Sequence, residues 1–235
     1  MSKTESHKLG LLWASSTEHQ DISQLAYLSR EALSRGGRVF LYLIDDGVSA
    51  VGSDVVQGLR REGIHVFCCA YGARKRGIPW DDKATFGGLT ILADMLSNCD
   101  SFVAFTPLQV STTNYMTRKN TRHTIVRISS DPAQVHFPAE AVRIAAGLQP
   151  WMDAPVNVLL EGPATRIFSA DATDLVDGKN FTDHLLSILT WDHPIYVGPS
   201  AIPVKGADRW GKHLKFLKTR GVQELIGQAR NVLSF

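Results

Sequence analysis

From Lys8 to Ser16 the chain reads KLGLLWASS, a short apolar run ending in small polar residues, as a buried strand does. At Asp21 the period changes: Leu25, Leu28, Ala32 and Leu33 fall on one helical face, and Gly36-Gly37 stops it. RVFLYLI (Arg38 to Ile44) predicts a second strand closed by Asp45-Asp46-Gly47, and Val55 to Glu62 a second helix stopped by Gly63. Ile64 to Cys69 predicts the third strand. A polar, basic loop is expected to about Trp80, then a helix over Leu89 to Ser97 and a fourth strand over Phe102 to Thr106. Strands alternating with helices at this spacing specify a parallel sheet covered on both faces.

From Pro107 to Arg122 the chain turns polar without a clean period, ending STTNYMTRKNTR, and then the same grammar restarts. Strands are expected over His123 to Ser129, Val156 to Leu160 and Ile195 to Val197. Helices are expected over Glu140 to Leu148, Phe181 to Leu189 and Gln223 to Arg230, and Val232 to Phe235 closes the second series. IHVFCCA, from Ile64, lies over IYVGPSA, from Ile195, which places Ser200 opposite Cys69. The expected fold class is therefore α/β, as two tandem doubly wound units, each a mostly parallel sheet with helices on both faces. The units run over 1–110 and 123–235, joined by a linker over 111–122 that holds room for a short helix. The last strand is expected to complete the second unit.

Composition adds bounds. Hydrophobic residues make up 44% and charged residues 20%, a globular balance, and the net charge of +2 requires neither nucleic acid nor an anionic membrane as partner. No apolar run approaches the roughly 20 residues that span a bilayer. The polar start MSKTESHK is not a secretory signal, so a cytoplasmic location is expected. Three cysteines, two of them adjacent, are too few for a disulfide framework, and neighbours rarely bridge because Cα atoms want about 5.5 Å between them. Free thiols in a reducing compartment fit. The eight histidines show no metal-binding spacing, so no metal and no organic cofactor is expected. There is no GxGxxG after the first strand, no Walker loop and no G-x-S-x-G elbow.

The chemistry centres on Cys69. It stands where a parallel strand meets its loop, the edge at which α/β sheets place their sites. Arg74, Lys75 and Arg76 follow, and nearby cations lower a thiol pKa and hold anionic sulfur. On spacing alone the residue is either such a thiol or a small buried hydrophobe. Cys68 points to the other face of the strand and is expected to pack against a helix, or else to serve as a resolving thiol in a redox pair. Cys99 is an incidental small residue. Asp45 and Asp46 share the edge of Cys69, where they cap a turn or tune the thiol. Gly87-Gly88, ahead of a helix, forms a turn or presents amides to an anion.

The run GIHVFCCAYGARKRGI resembles the active segment of the DsrE-like sulfur-relay family, which includes the Tus proteins of tRNA thiolation and the Dsr proteins of sulfur oxidation. There a strand ends in a cysteine, and a small-residue stretch leads to an Arg-Gly pair, here Arg76-Gly77. YLIDDGV, and in the second half AEAVRIAAGL and VNVLLEG, resemble further family segments, so the likeness covers nearly the whole chain as a tandem. It implies a cysteine, by position Cys69, that accepts sulfane sulfur as a persulfide and passes it on, with Arg74, Arg76, Gly77, Asp45 and Asp46 around it. The implied partners are a protein donor and a protein acceptor, with a homo-oligomer or pseudo-dimer as assembly. The alternative is a non-catalytic binding or assembly protein that uses loops at the same sheet edge.

Overall fold

A computed structural model of the chain describes residues 6–112, 123–199 and 211–235. The chain divides into two compact units, Met1–Thr113 and Asn114–Phe235, each with its own sheet.

In the first unit the order is β1 (Lys8–Trp13), α1 (Ser23–Ser34), β2 (Arg38–Leu43), α2 (Asp54–Arg61), β3 (His65–Cys69), α3 (Ala70–Lys75), β4 (Thr85–Gly87), α4 (Leu89–Asn98), β5 (Ser101–Phe105) and β6 (Val110–Thr112). The strands lie in the order β4-β3-β2-β1-β5-β6, parallel except that β6 runs antiparallel to β5. Leu11, Leu12, Trp13, Leu41, Tyr42 and Leu43 are fully buried on β1 and β2, which is why both read as continuous apolar runs. The chain steps one way from β1 to β4 and then back to β5; the right-handed crossovers usual for parallel strands then put α1 and α2 on one face and α4 on the other.

The second unit holds β7 (Thr124–Ile128), α5 (Phe137–Leu148), β8 (Val156–Leu160), α6 (Gly178–Ile188), β9 (Ile195–Val197), β10 (Leu214–Phe216), α7 (Thr219–Gln228) and β11 (Asn231–Ser234). Its described strands are all parallel, in the order β10-β9-β8-β7-β11. In both sheets the first strand lies between the second and the fifth, and the third lies between the second and the fourth. β9 thus occupies the place of β3, as the match of Ile195 to Ile64 requires. Ser200 lies outside the described residues, as do residues 113–122 of the expected linker and any helix in them.

Four elements differ from the sequence reading. The expected basic loop after Cys69 opens directly into α3. The strand expected fourth is the fifth, because β4 precedes it. β10 fills the same outer position in the second sheet. The linker's expected first residues, Ser111 and Thr112, belong to β6, drawn into the first sheet by pairing with Val103 and Ala104. Among the described residues no helix is long and apolar enough to cross a membrane.

Among the described residues β11 pairs only with β7, yet it carries Leu233 into the core and is followed by the fully buried Phe235. The backbone amides of Ser129 and Phe235 tie the end of the chain to β7 at 2.8 Å each. Each of the two side chains contributes about 2 kcal/mol of burial. A chain ending at Arg230 is therefore expected to lose cooperative melting of the second unit by calorimetry, and an unchanged melt would refute this.

Candidate functional site

Cys69 ends β3 between two neighbours. On the β2 side Cys68 is in register with Leu43, and on the β4 side Cys69 is in register with Gly87. The turn Asp45-Asp46 follows β2 directly, so the acidic pair and the thiol stand at one edge of one sheet, as expected. Tyr42 secures the far side of this edge by donating its hydroxyl to the carbonyl of Gly88 at 3.0 Å.

α3 starts without a loop because Cys69 acts as its N-terminal cap. The Gly72 amide donates to Cys69 Sγ at 3.5 Å, in the role usually taken by a serine or aspartate oxygen. The fit around Gly72 is close: a Cβ on it would stand 3.1 Å from Val48 Cγ1, which would have to give by a few tenths of an ångström. The helix stops at Gly77, whose φ of +65° suits a residue without a side chain. The Ile78 amide returns to the Ala73 carbonyl at 2.9 Å, and the Gly77 amide to the Arg74 carbonyl at 3.2 Å. This paired closure ends a helix on a left-handed glycine. Gly77 thus shapes the helix end.

Arg76 reaches back across the edge to the acidic turn. Its Nη2 lies 2.6 Å from Asp45 Oδ1 and 2.6 Å from Asp46 Oδ1, and Nε donates to the same Asp46 oxygen at 3.2 Å. Burial works against the charge on Arg76, but hydrogen bonds and attraction from Asp46 and Asp45 outweigh it and raise its pKa. Asp45 itself is buried and holds a left-handed backbone, φ +52°. Such a conformation costs about 1 kcal/mol or more in a residue with a side chain. It is kept because the turn is pinned on both sides. The Ile44 amide donates to the Trp13 carbonyl at 3.0 Å, and a Cβ on Gly47 would lie 2.1 Å from that same oxygen.

The structure thus joins Cys69, Asp45, Asp46, Arg76 and Gly77 at one edge. The Arg76 guanidinium holds the two carboxylates, whereas Arg74 is exposed on α3. Arg74 and Lys75 occupy the last turn, where cations suit the helix dipole. Cys69 is 1% exposed. Cys68 is fully buried, and burial, with the neighbouring Cys69 second, pushes its thiol up to about 12. That suits a packing side chain and not a resolving thiol, which must ionise near neutrality. Cys99 is buried near Gly10, whose added Cβ would lie 3.1 Å from its sulfur.

Gly72, Val48 and Tyr42 complete the site, and the sequence reading did not single them out. The only signal for Gly72 was its membership of the small-residue stretch after Cys69. In the second unit the acidic turn recurs as Glu161, after β8, but its cation is Arg127 from β7. Gly198, after β9, lies so close that an added Cβ would sit 2.8 Å from Glu161 Cγ. Comparisons with protein-family models, with curated proteins and with solved structures find no match for this chain.

Two outcomes follow for the first unit. Arg76→Ala removes the guanidinium that Asp45 and Asp46 share, so urea unfolding is expected to show a loss of about 2 kcal/mol, the size of lost hydrogen bonds between charged groups; a loss below about 0.5 kcal/mol would show the pairing to be incidental. Cys68, protonated below a pKa of about 12, is expected to resist iodoacetamide in the folded protein at pH 8 and to react once urea unfolds it. Rapid native labelling of Cys68 would contradict that assignment.

Proposed function

We propose that the first unit is a sulfur carrier and that Cys69 is its acceptor. The observation that carries this reading is the Gly72 amide directed at Cys69 Sγ at the C-terminal edge of a parallel sheet. That contact sets a backbone N–H donor against the sulfur that would carry the transferred atom. The resemblance of GIHVFCCAYGARKRGI to the DsrE-like relay segment points to the same chemistry.

In this reading the Cys69 thiolate attacks the outer sulfur of a donor persulfide. A new S–S bond forms on Cys69, the donor's S–S bond breaks, and the donor leaves as a thiol, with no net redox change. A thiolate on the acceptor protein then takes the terminal sulfur by the same exchange and restores Cys69. Arg76 contributes by position, holding α3 and its cap against Asp45 and Asp46, and the exposed Arg74 and Lys75 face the donor and acceptor proteins. The carrier works in a reducing compartment, the cytoplasm, as a homo-oligomer or as a pseudo-dimer of its own two units, without metal or organic cofactor.

A second reading rests on the 1% exposure of Cys69. A thiol so enclosed also suits a non-catalytic binding or assembly protein that uses the loops of this edge.

One experiment separates the two. The full chain is incubated with glutathione persulfide and the peptide holding both adjacent cysteines is fragmented by mass spectrometry. A carrier gains the mass of one sulfur atom on Cys69, with uptake lost in Cys69→Ser and kept in Cys68→Ser. Equal uptake by Cys69→Ser, or no uptake by any variant, would refute the carrier and leave the binding reading.

A further inference from the structure

The opposite edge of the first sheet carries a second group of reactive side chains. β1 and β5 are parallel neighbours, with Leu9 in register with Ser101, so the residues that open the two strands stand side by side. His7, just before β1, places Nε2 2.6 Å from Ser101 Oγ. The other ring nitrogen, Nδ1, lies 3.8 Å from Asp100 Oδ2. Asp100 is held in turn by the Lys8 backbone amide, which donates to Oδ2 at 2.7 Å, and its own amide donates to the Lys8 carbonyl at 2.9 Å. A hydroxyl, an imidazole and a carboxylate thus stand in line, each ring nitrogen facing one of the others.

His7 and Ser101 also line a cleft of about 420 Å³, whose walls include Leu9, Leu28 and Ala32. Asp100 stands behind the ring, away from the cleft lining. That is the division of roles in a serine nucleophile site: the nucleophile and base face the substrate, and the carboxylate orients the base.

We propose that Ser101, His7 and Asp100 form an acyl-transfer site for short-chain carboxylic esters, independent of the thiol edge. Ser101 Oγ attacks the ester carbonyl carbon while its proton passes to His7 Nε2. The carbon–oxygen bond to the alcohol breaks, and the alcohol leaves with the proton from His7. Water, activated by the same nitrogen, then cleaves the acyl-Ser101 ester and releases the carboxylic acid. Leu9, Leu28 and Ala32 offer a small acyl chain an apolar surface beside Ser101. Asp100 is a positioning residue: it acts through His7, keeping the Nδ1 side of the ring turned away from Ser101.

The test uses the full chain, a fluorophosphonate probe and p-nitrophenyl butyrate. The probe is expected to form an adduct on the peptide containing Ser101 and to block ester hydrolysis. The adduct disappears in Ser101→Ala, and its rate falls roughly 100-fold in His7→Ala, the size of a lost general base. His7 is exposed at the start of the described chain, so this variant tests chemistry without loss of core packing. Asp100→Asn keeps an oxygen for the Lys8 amide but loses the charge, so slower labelling there with recovery in Asp100→Glu reports orientation of the base. No adduct on Ser101, or labelling as fast in His7→Ala as in the original chain, overturns the proposal.

Discussion

A guanidinium held by two carboxylates sets the geometry of the thiol edge. Arg76 comes from the end of α3, and Asp45 and Asp46 come from the turn after β2, so one side chain closes a loop of some thirty residues. Without that closure α3 has little of its own to keep it helical. It is six residues long and contains a glycine, far below the length at which helices persist alone. The pairing also explains why a buried aspartate keeps a left-handed backbone. The turn is also crowded by the Trp13 carbonyl, which leaves no room for a Cβ on Gly47. The position of Cys69 as a helix cap follows from this arrangement and not from the local sequence alone.

Electrostatics and packing sort the two adjacent cysteines into different classes. Strand alternation turns them to opposite faces, and only Cys69 meets a backbone amide from α3. Cys68 lies between Leu43 and Phe86 in register and has no reason to ionise. A single-residue step along a strand thus separates a packing sulfur from one that caps a helix. The second unit repeats the strand order and the acidic turn but draws its cation from β7, so the shared architecture does not carry a shared site chemistry.

The parts of the fold that were legible in the sequence are those decided by burial. β1, β2, β8 and α5 lie in the interior, so their apolar periodicity speaks for itself. β4, β6 and β10 are three-residue strands at sheet edges, formed by pairing to a neighbour, and TFG, VST and LKF carry no period that could reveal them. The site divides in the same way. Alternating strands and helices were enough to bring Cys69 and Asp45-Asp46 to one edge. The destination of Arg76 depends on a contact across the sheet, and the conformation of Gly77 on a left-handed helix closure, neither of which the local sequence spells out.

The central claim is that Cys69 hands sulfur on, and delivery tests it more directly than loading. The full chain would be charged with isotopically labelled sulfane sulfur, freed of donor and mixed with an excess of a small protein bearing one accessible thiol. The label is expected to leave Cys69 and reach the acceptor thiol one for one, with no transfer from the Cys69→Ser chain. Label that stays on the chain, or that reaches the acceptor equally well without Cys69, would contradict the account.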